Sequence, residues 1–541
     1  MANRFWVTTG TTGGTGNWSD TQNWATSSGG TAGASVPGAA DGARYDGNSG
    51  TGTATLDISP TVQSLSFAPT TSFDGTFAFG TNTVTLNSTG TVFVGSTSMT
   101  VTGTPQVILT ETTPSATART ISPGAVTEAN SISFRITGST GALTLSTGSY
   151  LDLDFTDGTN PTGYGGALGG NSPTVYGSFK ASTNMTQTST NNAVTFSATS
   201  GTKTITTAAV VFNRPFTFNG VGGSWQLQDA LTSGATRTCT LTNGTLNLNN
   251  FTLTIGIFSS NNANVRALSF GTLGGGGSLD ITSASTTADV TVFNASNSTN
   301  FTADRNGNIN IIGAPTGFIR SITPGLVSSG GTAANSLNFT ILDGSDTINL
   351  GTDNHVYNNI EINGFTGSIG ANVAPYIYGG FNNQTATITG GANAWVFAGT
   401  SFFNSFISNS NINNPVIFDG IGGGWEIYNG FTINAALTLI NGTLKIQNGT
   451  TLTVASFVTS GTNQKFLSST SPGTQATISA ASGTNSVSYL TIQDSNATGG
   501  AEWDAYTGNF NVNAGNNTGW NFSQFGNKYI YTRRKLKRII F

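Results

Sequence analysis

Residues 238 to 256 read TCTLTNGTLNLNNFTLTIG. Apolar side chains alternate with threonine and asparagine, and the alternation breaks at Asn-Gly and Asn-Asn. Period two puts successive side chains on opposite faces of a strand, and Gly and Asn suit the tight turns between strands. The same grammar fills 83–95 (TVTLNSTGTVFVG), 142–155 (ALTLSTGSYLDLDF) and 436–454 (ALTLINGTLKIQNGTTLTV). Amphipathic helix patterns of ten or more residues are lacking. The expected fold class is all-β.

One phrase returns. FNGVGGSW at 218–225 matches FDGIGGGW at 418–425, with Phe218 and Trp225 meeting Phe418 and Trp425. Around it, Arg119-Thr120-Ile121-Ser122-Pro123-Gly124 is echoed by Arg320-Ser321-Ile322-Thr323-Pro324-Gly325. Ser172-Pro173-Thr174-Val175-Tyr176-Gly177 is echoed by Ala374-Pro375-Tyr376-Ile377-Tyr378-Gly379, and Leu241–Leu246 by Leu439–Leu444. Colinear matches at an offset near 200 residues imply a tandem duplication. A shorter echo, as in Ser64-Leu65-Ser66-Phe67 and Ser131-Ile132-Ser133-Phe134, fits short strands with one inward face. Two architectures accommodate this: a β-solenoid, or tandem β-sandwich modules. A strict rung period of 20 to 30 residues is not visible.

The expected division is 1–67 an N-terminal Trp/Gly-rich β cap or attachment domain, 68–118 a connecting β segment, 119–318 and 319–500 the two copies, 501–526 a closing β segment, and 527–541 a basic docking tail. In the phrase itself the glycines supply a turn or a close backbone approach, and Phe and Trp anchor it. Asn219 stands where the second copy has Asp419. Both side chains can hydrogen-bond a turn, whereas a catalytic acid would not survive that exchange.

Composition narrows the class. Of 541 residues only 8% are charged, 72 are Gly, and the net charge is −4. Disorder calls for low hydrophobicity with high net charge, and 34 Phe and 8 Trp argue against it. A folded protein with an uncharged polar surface suits an extracellular or virion-exposed setting better than a cytoplasmic enzyme. The single cysteine, Cys239, excludes an intrachain disulfide framework and reads as a small buried strand residue. The single histidine, His355, cannot build a His-rich metal site and reads as a satisfied loop residue. No stretch is apolar enough for a transmembrane helix. The opening MANRFWVTTGTTGG lacks the apolar run of a signal peptide. With Met1 as the start, that favours a virus protein assembled inside its host over a secreted adhesin.

Both ends carry a resemblance. Phe5-Trp6-Val7, Gly16-Asn17-Trp18, Asn23-Trp24 and Val36-Pro37-Gly38-Ala39-Ala40-Asp41 resemble an N-terminal element of large bacterial β-solenoid surface proteins, autotransporter-like ones included, and of phage structural proteins. Leu490, Ile492, Asp494, Trp503, Gly515-Asn516-Asn517 and Gly519-Trp520 look like the closing strands of such proteins. The resemblance implies a phage fibre, tailspike-like or capsid-decorating component. Its partners would be itself (a homo-oligomer, a trimer for example), other virion proteins and a host surface glycan. The alternatives are a bacterial extracellular adhesin or surface filament subunit, and a glycan-cleaving tailspike.

Candidate chemistry is sparse. Asp152, Asp154 and Asp157 in YLDLDFTDGTN form the best carboxylate cluster. Two strand positions apart, Asp152 and Asp154 sit on one face about 7 Å apart. They can be solvated surface, a Ca²⁺ site or the acid/base pair of a glycosidase. The matching region of the second copy, placed around Gly351 to His355, does not repeat the pair. Trp225, Trp425, Tyr176 and Tyr378 are shared packing anchors or sugar-stacking aromatics. The last fifteen residues, NKYIYTRRKLKRIIF, hold six of the nineteen basic residues: Lys528, Arg533, Arg534, Lys535, Lys537 and Arg538. Without them the body carries 13 basic against 23 acidic residues, a balance of −10. That tail reads as a docking segment for an acidic partner. No cofactor, no enzymatic activity and no specific nucleic-acid recognition are expected.

Overall fold

A strand with one apolar face must lay that face against something. In this chain successive turns supply the partner. The computed structural model is all-β, 49% strand and 3% helix, a parallel β-solenoid of about 19 turns. It describes residues 2–523 apart from 9–12, 111–116, 125–126, 139, 159–162, 189–190, 284–288, 314–317, 328–331, 352 and 371–373. Two compact units divide at Ile348 and Asn349.

Near the start each turn contributes three short strands. Asp41–Arg44, Thr53–Thr55 and Thr61–Val62 are followed by Ser64–Ser66, Thr76–Ala78 and Thr83–Leu86, each stacked parallel on its predecessor. Gly90–Val94, Thr100–Thr102 and Gln106–Leu109 add the next turn. A sandwich would pair strands antiparallel within hairpins, so this parallel register decides between the two architectures. Turn length varies widely. Phe218 aligns with Leu241, 23 residues on, Cys239 with Phe258, 19 on, and Phe258 with Phe293, 35 on. Insertions at the corners therefore hide the period from the sequence.

In the first unit the parallel stack is closed at its N-terminal edge. Trp24–Ala25 pairs antiparallel with Ala2–Trp6, covering an edge that would otherwise template another strand. Trp6, Trp18, Trp24 and Tyr45 pack beneath it, with Trp6 and Trp24 edge to face at 5.3 Å. Two of the three indole nitrogens bond the chain: Trp6 Nε1 donates to Gly14 O at 2.9 Å and Trp24 Nε1 to Trp18 O at 2.8 Å.

Inward side chains form axial rows. In the first unit Val175, Phe196, Phe218 and Leu241 align rung on rung; in the second, Ile377, Phe397, Phe418 and Leu439 do the same. The Phe196 and Phe218 rings stack at 5.1 Å, and Phe397 and Phe418 meet at 5.2 Å, tilted by 32°. Trp225 and Trp425 complete each cluster, both 0% exposed. Each such side chain contributes about 1.5–3 kcal/mol by leaving water.

The repeated phrase has its explanation here. Strands Phe216–Leu227 and Val416–Tyr428 carry the same bulge, between Phe218 and Ser224 in one and Phe418 and Gly424 in the other. Gly222 (φ 84°) and Gly422 (φ 74°) take the left-handed turn. A Cβ on Gly223 would overlap Ala198 O, and one on Gly423 would overlap Gly399 O. The bulge ends in an amide ladder: Asn243 Nδ2 donates to Asn219 Oδ1 at 2.7 Å, and Asn441 Nδ2 to Asp419 Oδ1 at 2.7 Å. Asn463 extends the second ladder by donating to Asn441 Oδ1 at 2.8 Å. Asn219 and Asp419 thus perform one job, which needs only an acceptor oxygen.

Cys239 is 0% exposed and packs in this core, and burial pushes its thiol up to about 12. It is expected to resist thiol reagents in the native protein and to label fully in denaturant, read by a colorimetric thiol assay. Trp225→Ala or Trp425→Ala should cost about 3–5 kcal/mol and lower the thermal midpoint. Their indole nitrogens have no hydrogen-bond partner among the described residues. Trp→Phe at either site should therefore cost much less than Trp→Ala, which calorimetry would measure.

Candidate functional site

The carboxylates singled out above lie on an outward sheet of the first unit. Strand Gly148–Asp154 stacks between Ile132–Ile136 and the strands Pro173–Val175 and Phe179–Lys180. Leu153 points inward, leaving Asp152 and Asp154 half-buried on the outer side. There they line a shallow groove of about 220 Å³ with Ser133, Arg135, Ser178 and Lys180. Two anions face two cations, so the groove carries no net charge.

Every carboxylate oxygen in that pair already accepts a bond. Asp152 Oδ1 takes Ser178 N at 2.7 Å and Oδ2 takes Ser133 Oγ at 2.8 Å, one rung to each side. Asp154 Oδ2 takes Arg135 Nε at 3.2 Å, and Oδ1 takes Thr156 N at 2.9 Å and Thr156 Oγ1 at 2.7 Å. Asp157 lies beyond the strand end and is exposed. Among the described residues no group of three or more His, Cys, Asp or Glu side chains is placed to hold a metal ion.

The structure corrects where this pair recurs. Leu153 pairs with Phe179 as Ile360 pairs with Phe381, so Asp152 and Asp154 correspond to Asn359 and Glu361 rather than to Gly351–His355. Asn359 Oδ1 accepts Gly380 N at 2.7 Å, reproducing the bond from Ser178 N to Asp152. A Cβ on Gly177 or on Gly379 would collide with that same side chain in each copy. An amide fills the role of Asp152 in the second copy, and an amide does not titrate near neutral pH to act as a general acid or base. The position serves rung-to-rung bonding.

The anchors divide. Phe218, Phe418, Trp225 and Trp425 are core residues, none above 1% exposed. Tyr176 and Tyr378 are half-buried on the outside, held by matching backbone bonds from Tyr176 N to Tyr150 O and Tyr378 N to Tyr357 O, both 2.9 Å. His355 is 2% exposed, and its carbonyl accepts Tyr376 N. Lys528, Arg533, Arg534, Lys535, Lys537 and Arg538 lie outside the described residues.

Sequence reasoning passed over the buried cations. Arg119, Arg214, Arg266 and Arg320 are each 1% exposed and Lys465 is 0%. Arg266 gives Nη1 to Asn264 O and Thr299 O, both 2.8 Å, and Nη2 to Ser260 O at 2.7 Å. Lys465 gives Nζ to Asn463 O at 2.8 Å and Gly461 O at 3.2 Å. These two occupy equivalent places, since Leu246 aligns with Leu268 and Leu444 with Leu467. Their signal was present as Asn264-Val265-Arg266-Ala267-Leu268-Ser269 beside Asn463-Gln464-Lys465-Phe466-Leu467-Ser468. Burial away from water lowers Arg214 and Arg266 to about 10. Arg320 instead makes a buried bidentate pair with Asp346, Nε–Oδ2 2.7 Å and Nη2–Oδ1 3.0 Å. Arg214, Arg266 and Lys465 work as staples that collect backbone carbonyls, Arg214 giving Nε to Asn192 O at 3.1 Å and Nη2 to Asn171 O at 2.8 Å.

No helix among the described residues is long and apolar enough to cross a membrane. Compared with protein-family models, curated proteins and solved structures, the chain matches none. Fold and local geometry define it as a parallel β-solenoid built on a duplicated module.

Asp152→Asn should leave thermal stability nearly unchanged, whereas Asp152→Ala should cost about 1–3 kcal/mol by stranding its donors. Arg320→Ala should cost about 3–5 kcal/mol because Asp346 is left buried and unpaired. Adding Asp346→Leu to Arg320→Met should recover most of that loss in the same melting experiment.

Proposed function

We propose that the chain is a non-enzymatic structural protein of a phage virion, a fibre, tailspike-like or capsid-decorating component that assembles with itself and attaches to a host surface. One observation carries the non-enzymatic half. The best carboxylate pair is consumed in bonds between rungs, and an amide replaces one member in the second copy. The resemblance of residues 5–41 and 490–520 to the ends of phage and bacterial surface β-solenoids supports the virion setting. Low charge suits a surface that other subunits cover. Val221 and Ile421, 70% and 69% exposed at the tips of the two bulges, offer matched apolar points for subunit contact. Six cations in the C-terminal fifteen residues supply the docking segment for an acidic neighbour.

Electron microscopy of the material that yields the protein tests this reading. The protein is expected on phage particles, at a fibre or on the capsid lattice. Cell-attached filaments without particles would replace the virion with a bacterial surface. Sedimentation is expected to show a homo-oligomer, a trimer in the simplest case. Polysaccharide cleavage that Asp152→Asn or Asp154→Asn abolishes would convert the reading to a glycan-cleaving tailspike.

A further inference from the structure

The two copies share a scaffold, so their differences show what one copy has gained. In the first, Gly201-Thr202-Lys203 leads into the strand under Trp225: Gly201 O accepts Ser224 N, and Lys203 aligns with Trp225. In the second, Ser401-Phe402-Phe403-Asn404 spans the same interval with one residue more: Ser401 O accepts Gly424 N, and Asn404 aligns with Trp425. The extra length puts two phenylalanines in the place of Thr202. Both project into solvent, 62% and 61% exposed. Phe403 holds φ 66°, an unfavourable conformation for a bulky residue, with Lys445 Nζ 4.3 Å from its ring centre.

Neighbouring substitutions fall on the same surface. By register, Phe466 stands where the first copy has Ala267, Glu426 where it has Gln226, and Lys445 where it has Asn247. Phe466 is 46% exposed. Thr443, Phe466 and Thr491 stand in register on successive rungs, and Glu426, Lys445 and Ser468 form a parallel row two residues along. Between Phe402 and Phe466 runs an open groove of about 330 Å³, edged by Thr443, Thr491 and Gln493. No charged side chain lines it, and the ion pair next to it is internally balanced, Lys445 Nζ lying 3.3 Å from Glu426 Oε1.

We infer that this groove binds a linear, uncharged oligosaccharide laid across successive rungs, with Phe402 and Phe466 stacking on sugar faces. A pyranose ring has an apolar C–H face and a hydroxyl rim. The groove offers aromatic faces beside threonine hydroxyls and a glutamine amide, which is that chemistry in complement. A polyanion would need an excess of positive charge, and the Glu426–Lys445 pair supplies none. A second copy of the chain is the other occupant to weigh. Three phenyl rings about half exposed offer roughly 300 Å², well short of the ~800 Å² per partner that a stable protein interface buries. The inference rests on the attachment part of the function proposed above and deepens it.

Titration calorimetry of the full chain with cellohexaose, maltohexaose and mannohexaose tests it. At least one is expected to bind saturably, with an affinity unaffected by added salt. Phe402→Ala and Phe466→Ala should each weaken binding about tenfold or more, with melting curves unchanged because both rings are exposed. Glu426→Gln with Lys445→Asn, which restores the first-copy residues, should weaken it less. The inference is overturned by absence of saturable binding to all three sugars, or by binding that ignores both phenylalanine variants. It is also overturned if those variants shift the sedimentation of the chain instead, which makes the patch a subunit contact. None of these outcomes bears on where the micrographs place the protein, so the virion reading stands or falls separately.

Discussion

Each turn of a parallel solenoid aims one row of peptide groups at the turn before it and another at the turn after it, and neither row can be satisfied within its own turn. Every rung is held to that register. Once Phe218 lies over Phe196, Thr217 and Phe216 are fixed over Thr195 and Val194, and apolar rows must be inward. Corners face a harder problem, because the chain bends there and carbonyls converge without strand partners. Two devices answer it. Amide side chains stack from turn to turn, as in Asp419–Asn441–Asn463, and buried cations gather the remaining oxygens, as Arg266 and Lys465 do. A sequence poor in charge thus spends several of its cations inside.

Much of this is legible in the amino-acid sequence. Alternation and Asn-Gly breaks give strands and corners, and the exchange of Asn219 for Asp419 pointed to a hydrogen-bonding role that the ladder displays. Turn number was not legible, because corner insertions stretch the spacing of aligned residues from 19 to 35. The same drift misplaced the partner of Asp152. The offset between copies is 207 residues at Asn359 (359 − 152) but 202 at Gly379 (379 − 177). A fixed offset near 200 therefore lands on the preceding corner. Buried arginines escaped notice for a different reason. The echo around Arg266 and Lys465 marks equivalent places but not burial; Ser260 and Asn264 lie close in sequence, whereas Thr299, 33 residues on, is brought to Arg266 only by the winding.

Comparison of the copies separates what the scaffold requires from what it tolerates. Required features recur atom for atom: the bulge, its left-handed glycine, the acceptor at 219 and 419, the glycine pressed against 152 and 359. At the staple only positive charge recurs, Arg266 in one copy and Lys465 in the other. Outward positions outside these hydrogen-bonding roles differ between the copies, and Phe402, Phe403 and Phe466 sit among them. A solenoid decouples its two faces in this way, since alternate residues answer to different surroundings.

The direction of the hydrogen bonds has a mechanical consequence. Within the second unit the bonds from Val416–Tyr428 to Thr432–Ile446, and onward to Lys465–Ser469 and Leu490–Ile492, all run along the stacking direction. Tension along that direction loads the interfaces in series, so the weakest sets the breaking force, however strong the others are. Load applied across the stack is shared in parallel by whole ladders. Pulled lengthwise, such a unit should give way one interface at a time rather than all at once.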